Sequence, residues 1–454
     1  MPNFLNQIHE IKIDSQEHFK GNGVGRIEDF VVFVNGAVEG DVVNAKITES
    51  KKTYGNAQIT KIVKPSPHRI VPECEVYRKC GGCSFLQIDY DFQLETKEKF
   101  LKEALQKIGK FDLKNLSIEK IVCAEEPLFY RNKIIQPVGL EDGKLISGFY
   151  KQNSHKIVDF DKCYIQPEIS NKIVNLVKSW ASKSKTPIYN EEKKSGVLRS
   201  IFLRINREQT EVVVCLVTKG KKLPFWKTLL QELTDNFPQV VGLVQNFNST
   251  DGNNVLSENF NTLWGRDYIF ENLGKTKFKV SIGSFFQVNS AQTVLLYNLV
   301  KEFCNLSGTE KLLDVYCGLG SIGIYLADKA EEVVGVEVSS QAIKDADFNA
   351  DLNELENCDF YCGKVEEVLP QLLEQEKHFE VVIVDPPRKG LSTETIEVIS
   401  DFNPEKIIYV SCNPTTLARD LRLFTEKGFS IKKITPVDLF PQTHHCEAVC
   451  LLEK

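Results

Sequence analysis

Near the carboxyl end of the chain, the stretch YVSCNPTTLARD (409–420) sets Cys412 at the end of an apolar run, with Asn413 and Pro414 behind it. A lone thiol there is either a small buried hydrophobe or a nucleophile, and the surrounding residue types decide which. Three other stretches carry residues suited to a nucleotide-like ligand. DVYCGLGSIG (314–323) holds Gly318, Gly320 and Gly323 in a G-x-G-x-x-G spacing, which lets a backbone approach a ligand and turn into a helix N-terminus. Glu337, 23 residues past Asp314, ends a second apolar run, where a carboxylate can take both hydroxyls of a ribose. DPPRKG (385–390) puts Asp385 at the end of a further run, and its two prolines stiffen the loop that follows. The glycines and Glu337 suit NAD and S-adenosylmethionine equally, because both present a ribose diol. Asp-Pro-Pro tilts the choice towards methyl transfer to a planar nitrogen or a nucleobase.

Just before the last apolar segment, LFPQTHHCEAV (439–449) supplies Glu447, a carboxylate able to act as a base. A cysteine and a base beside an adenosylmethionine pocket suit methylation of a pyrimidine at C5. That carbon is a poor nucleophile in the intact ring; thiolate attack at C6 makes an enolate and loads electron density onto C5. The base then removes the C5 proton, and the nucleotide must leave its stack to be reached. A nitrogen methyltransferase would use the same pocket and the DPP loop but would need no thiol. His444 and Cys446 receive no role on sequence grounds.

The elements that must hold these residues are legible in outline. From about residue 285, apolar strands alternate with amphipathic helices: KLLDVYC, EVVGVEVS, CDFYCGKV, FEVVIVDPP and EKIIYVSCNP, then FSIKKITPVDLF and EAVCLLE. This pattern predicts a mainly parallel, doubly wound α/β sheet with its ligands beyond the carboxyl ends of the strands. Residues 1–66 show short alternating segments punctuated by glycine and asparagine, as in a small β-barrel, and KPSPHRIVP is the boundary. Residues 67–280 read as a central α+β unit and 281–454 as the α/β domain. The net charge of −6 hides a split: residues 1–280 carry 41 basic against 34 acidic residues, and 281–454 carry 15 against 28. A polyanion would be gripped mainly by the front half. No run of 18 apolar residues occurs and the N-terminus has no signal-peptide pattern, so a soluble cytoplasmic protein with no membrane partner is expected. Thirteen cysteines in a reducing compartment argue against disulfides. Cys74, Cys80 and Cys83, spaced C-x5-C-x2-C, with Cys163 in DFDKCYI as a distant fourth, suit zinc or an iron–sulfur cluster alike.

With FFQVN (285–289), DVYCGLGSIG, DPPRKG, SCNPTTLARD and PQTHHCE in this order, the chain resembles the S-adenosylmethionine-dependent RNA uracil-5-methyltransferases, specifically the branch acting on 23S ribosomal RNA. The resemblance implies Cys412 as nucleophile and Glu447 as proton acceptor. It implies Gln287, Tyr316, Ser321, Glu337 and Asp385 as cofactor contacts. GNGVGRIEDFVVFVNGAVEGDVV resembles the TRAM module, an OB-like RNA-binding barrel on which Lys51, Lys52, Lys61 and Lys64 could form a basic face. The resemblance also places a 4Fe-4S cluster on Cys74, Cys80, Cys83 and Cys163, with a folding or RNA-docking role, and zinc as the alternative. A monomer is expected, because the RNA itself supplies a large interface. Transfer RNA remains the other substrate, and a non-catalytic RNA-binding or ribosome-assembly protein the alternative of another class.

Overall fold

The computed structural model describes residues 4–152, 154–250 and 255–454. Five strands at the N-terminus, β1 (Ile8–Gln16), β2 (Gly23–Ile27), β3 (Phe30–Asn35), β4 (Val42–Ser50) and β5 (Tyr54–Lys64), close into a barrel in the order β1-β2-β3-β5-β4. Alternation is the cause. Every second residue of β3 and β4 points inward, so Val32, Val34, Val43, Ala45 and Ile47 fill the barrel with Ile11 and Ile13. Closure leaves no free sheet edge in the barrel.

The helix α1 (Tyr90–Lys107) follows the proline-rich segment, and Asp89 caps it by accepting from the Phe92 amide at 2.9 Å. Seven strands then form a second sheet: β6 (Lys133–Glu141), β7 (Lys144–Tyr150), β8 (Ile157–Asp159), β9 (Leu198–Ile205), β10 (Val212–Thr218), β11 (Val240–Phe247) and β12 (Phe260–Gly265), in the order β12-β11-β10-β9-β6-β7-β8. One face carries α2 (Glu168–Lys183) and α3 (Trp226–Asn236) through Val177, Trp180, Leu229 and Leu233. The other face, with Phe202, Val213, Cys215 and Val217, joins the core of the C-terminal unit. Burial on both faces explains why β10 reads as one continuous apolar run.

A hairpin of β13 (Tyr268–Leu273) and β14 (Thr276–Ser281) packs into that same core. The C-terminal sheet contains β15 (Lys311–Val315), β16 (Glu332–Glu337), β17 (Cys358–Cys362), β18 (Val381–Val384), β19 (Lys406–Ser411), β20 (Ser430–Val437) and β21 (Glu447–Glu453). Its order is β17-β16-β15-β18-β19-β21-β20. The first five strands are parallel, as their apolar runs predict, and β21 inserts antiparallel between β19 and β20. On one face lie α4 (Ser290–Cys304), α5 (Ser321–Leu326) and α6 (Ser340–Leu352). The other is covered by α7 (Val365–Glu374), α8 (Thr393–Asp401), α9 (Pro414–Glu426) and also by α1, through Leu101, Ala104 and Leu105. A wholly buried ion pair ties α1 to this unit: Lys97 Nζ donates to Asp438 Oδ1 at 2.5 Å and to the Phe440 carbonyl at 3.1 Å, and the Tyr90 hydroxyl donates to Asp438 Oδ2 at 2.7 Å. Among the described residues, no helix is long and apolar enough to cross a membrane.

Candidate active site

The sheet reverses its direction of growth between β15 and β18, and the residues of interest gather beyond the carboxyl ends of these strands. After Val315 the chain turns sharply. Tyr316 takes a left-handed conformation at φ 67°, unusual for a side chain of its size, and its amide and that of Cys317 both donate to the Val336 carbonyl. Gly320, at φ 76°, completes the turn into α5; a Cβ there would lie 2.8 Å from Ile324 Cδ1, so the loop needs glycine both for backbone and for space. Glu337, at the end of β16, accepts from the Gly318 amide at 3.3 Å and from the Ser339 amide at 2.8 Å, which fixes its carboxylate at the loop's edge. Ser321 also lies on this rim, with its hydroxyl 2.7 Å from that of Tyr297 on α4.

Asp314 sits beneath the loop. One carboxyl oxygen accepts from the Gly323 amide at 2.9 Å, and the other is buried with no hydrogen-bond partner. Burial pushes this carboxyl up to about 7. Asp385, just past β18, faces the buried Gln287, whose Nε2 lies 3.5 Å from Asp385 Oδ2. Burial, with the charge of Asp314 adding to it, raises Asp385 to about 7 as well. Gln287 is held from behind: Asn132 donates from its side chain to the Gln287 carbonyl at 2.8 Å and from its amide to the Val288 carbonyl at 2.9 Å.

Cys412 and Glu447 are brought together by strand register. Ser411 pairs with Ala448 across the antiparallel β19–β21 ladder, so the next step outward sets Cys412 opposite Glu447. Cys412 is half-buried, whereas Glu447 is only 3% exposed. Burial first, then the neighbouring carboxyls of Glu447 and Asp385, pushes the Cys412 thiol up to about 12, with Arg388 acting in the opposite direction. Glu447 is raised to about 8 by burial and by Asp385, again opposed by Arg388. Arg388 was not among the residues singled out from sequence. Its guanidinium lies 3.2 Å from His445 Nε2, and its only sequence signal is a basic residue directly after Asp-Pro-Pro.

The structure thus brings Gln287, Tyr316, Ser321, Glu337, Asp385, Cys412 and Glu447 to one edge of one sheet. A glycine turn with a fixed carboxylate beyond it and an unpartnered buried carboxyl oxygen below it fits the ribose and the α-ammonium group of S-adenosylmethionine. Cys74, Cys80, Cys83 and Cys163 gather elsewhere and line a single cavity with Phe149 and Phe160. Burial raises all four thiols, and Cys83 most clearly feels the other three. Among the described residues, no three His, Cys, Asp or Glu side chains converge closely enough to hold a single metal ion as they stand. A donor set of four thiols, with no histidine or carboxylate, is of the soft kind that iron–sulfur clusters and zinc take.

The sheet order, the glycine turn and the acids beyond the second and fourth strands define the C-terminal unit as an S-adenosylmethionine-dependent methyltransferase fold. The chain belongs to the tRNA (uracil-5-)-methyltransferase family, which it matches over residues 89–454, and residues 2–60 match the TRAM domain. Relatives named RNA methyltransferases occur in Clostridium tetani, 41% identical over 95% of this chain and 94% of the relative, and in Halalkalibacterium halodurans, 39% identical over 99% and 97%. Among solved structures, the chain is similar to the Pyrococcus abyssi tRNA (uracil-54, C5)-methyltransferase in complex with S-adenosyl-L-homocysteine. The two are 29% identical, with a TM-score of 0.78 over 98% of this chain and 100% of the other.

Proposed function

We propose that this protein methylates C5 of a uridine in 23S ribosomal RNA, working as a cytoplasmic monomer, with Cys412 as nucleophile and Glu447 as base. The observation that carries this reading is that the β19–β21 register, ending at Ser411 and Ala448, sets Cys412 beside Glu447 on the edge where Glu337 and Asp385 follow their strands. When bound, S-adenosylmethionine supplies a methyl group on a positively charged sulfur, a charge of the sign that favours ionised Cys412 and Glu447. Glu337 would bind the ribose hydroxyls, and Gln287, Tyr316, Ser321 and Asp385 would complete the pocket. The Cys412 thiolate adds to C6 of the extruded uracil, and the C5=C6 pair moves to C5, with the charge delocalised onto O4. C5 takes the methyl group. Glu447 accepts the C5 proton, the C5=C6 bond re-forms, and the thiolate leaves. Arg388 holds both groups nearer their ionised forms than burial alone would allow.

The ribosomal substrate is supported by the TRAM-like barrel and by the cysteine group. The Pyrococcus abyssi neighbour, named for uridine 54 of transfer RNA, favours tRNA as the second reading. Mapping 5-methyluridine in both RNAs from cells lacking the gene decides between them: a site lost from 23S RNA supports the first reading, and one lost only from tRNA overturns it. Cys74, Cys80, Cys83 and Cys163 would hold a 4Fe-4S cluster. Four thiols around one cavity suit a zinc ion equally by donor type, and the family resemblance is what favours the cluster.

A further inference from the structure

The loop between β1 and β2 of the barrel reaches the catalytic edge of a domain some four hundred residues away in sequence. His18 Nε2 lies 3.3 Å from the Thr415 hydroxyl, three residues past Cys412. The His444 ring, three residues before Glu447, lies close to the Phe19 backbone and to His18, and its Nδ1 lies 3.0 Å from the Ser84 hydroxyl. The loop is therefore held against the start of α9, just past Cys412, and beside the segment that leads to Glu447.

It is also rigid by construction. The Glu17 carboxylate accepts from the Phe19 and Lys20 amides, each at 2.9 Å, and from Asn22 Nδ2 at 3.0 Å. Gly21, at φ 71°, lies so close to the next segment that a Cβ would stand 2.9 Å from both Ser84 Cβ and Phe85 Cε1. On this fixed loop Phe19 is 70% exposed, its ring centroid 4.2 Å from that of His18. Single exposed apolar side chains are ordinary on protein surfaces. A phenylalanine on a loop held beside both of these segments, with the exposed Arg388 guanidinium near the same His444, is a different case. Aromatic faces flanked by cations are how proteins hold unstacked bases of single-stranded RNA.

We infer that Phe19 is a stacking platform for an RNA base adjacent to the uridine extruded into the site, so that the barrel orients the substrate at the point of reaction as well as gripping its backbone. This rests on the RNA uracil reading above. The test compares Phe19→Ala, Phe19→Leu and Phe19→Trp in the full-length protein. Binding is read with a fluorescein-labelled oligouridylate, and methyl transfer with ribosomal and transfer RNA from cells lacking the gene. Phe19→Ala is expected to bind RNA about tenfold more weakly and to raise KM for RNA by a similar factor. Phe19→Leu should be as impaired, because it is apolar without a π face, and Phe19→Trp should match the parent. Binding of S-adenosylhomocysteine and the melting temperature serve as controls and should not move. If Phe19→Leu equals the parent, or Phe19→Ala stays within twofold of it while the parent methylates RNA, the stacking role is wrong and the uracil reading stands. A parent that leaves uridine C5 unmethylated in both RNAs overturns both.

Discussion

Burial and Asp385 raise both Cys412 and Glu447, the Glu447 carboxyl adds to the rise at Cys412, and Arg388 opposes both. Glu447 can take a proton only when ionised. With its pKa at about 8, the fraction of enzyme with a competent base rises with pH up to about that value, and kcat/KM should rise with it. Arg388→Gln removes the group that opposes burial, so that limb should move to higher pH and adduct formation should slow. Glu447→Gln should separate the two halves of the reaction. Attack and methyl transfer remain possible, but the C5 proton stays, so a methylated RNA–protein adduct on ordinary uridine RNA should accumulate and survive denaturing electrophoresis. The same carboxyl is neutral in the fold up to about pH 8 yet ionised in an unfolded chain above 4.5, so its contribution to stability is full below 4.5 and is lost as pH rises through 8. The melting temperature of Glu447→Gln should therefore gain on the parent across that window and level off above it. The positions of these two residues were legible from sequence because each adjoins an apolar run, Cys412 at the end of one and Glu447 just before the last. Arg388, Tyr297 and Phe19 were not, because their importance comes from neighbours supplied by distant segments.

At the scale of elements, the parallel run from β15 to β19 announced itself through short, continuous apolar segments ending in glycine or acid. What such segments do not encode is spatial order. The insertion of β21 between β19 and β20 sets Glu447 opposite Cys412, yet it follows from strand pairing and not from residue pattern. The amphipathic stripe of α1 is visible in the same way, and its docking partner is not. Its attachment by Lys97 offers a direct test. Lys97 and Asp438 are completely buried, and removing one partner strands a charge in the interior. Lys97→Met should lower stability by about 3–5 kcal/mol in denaturant titrations. A change under 1 kcal/mol would mean that α1 is held by its apolar face alone.

For the whole molecule, the basic front half and acidic rear half were visible in composition, whereas the meeting of barrel, cysteine segment and catalytic edge was not. Ser84 and Phe85, directly after Cys83, bond the segment that leads to Glu447: the His444 amide donates to the Ser84 hydroxyl at 2.8 Å and the Phe85 amide to the Gln442 carbonyl at 3.0 Å. Under the proposed reading, a cluster on the four cysteines would brace this junction. Anaerobically purified protein should contain four iron and four sulfide per chain and little zinc. Cys83→Ser should lose the iron and lower the melting temperature, whereas stoichiometric zinc in the parent would replace the cluster with a zinc site.

Under the proposed mechanism, every later step depends on a transient bond between Cys412 and C6 of a uracil. Mass spectrometry of the protein after reaction with 5-fluorouridine-substituted RNA and S-adenosylmethionine tests it most directly. The expected product is a peptide containing Cys412 that carries a methylated fluorouridine nucleotide, absent from Cys412→Ala, which should also transfer no methyl groups to ordinary RNA. Undiminished methyl transfer by Cys412→Ala, or a nucleotide attached to a different cysteine, would contradict it.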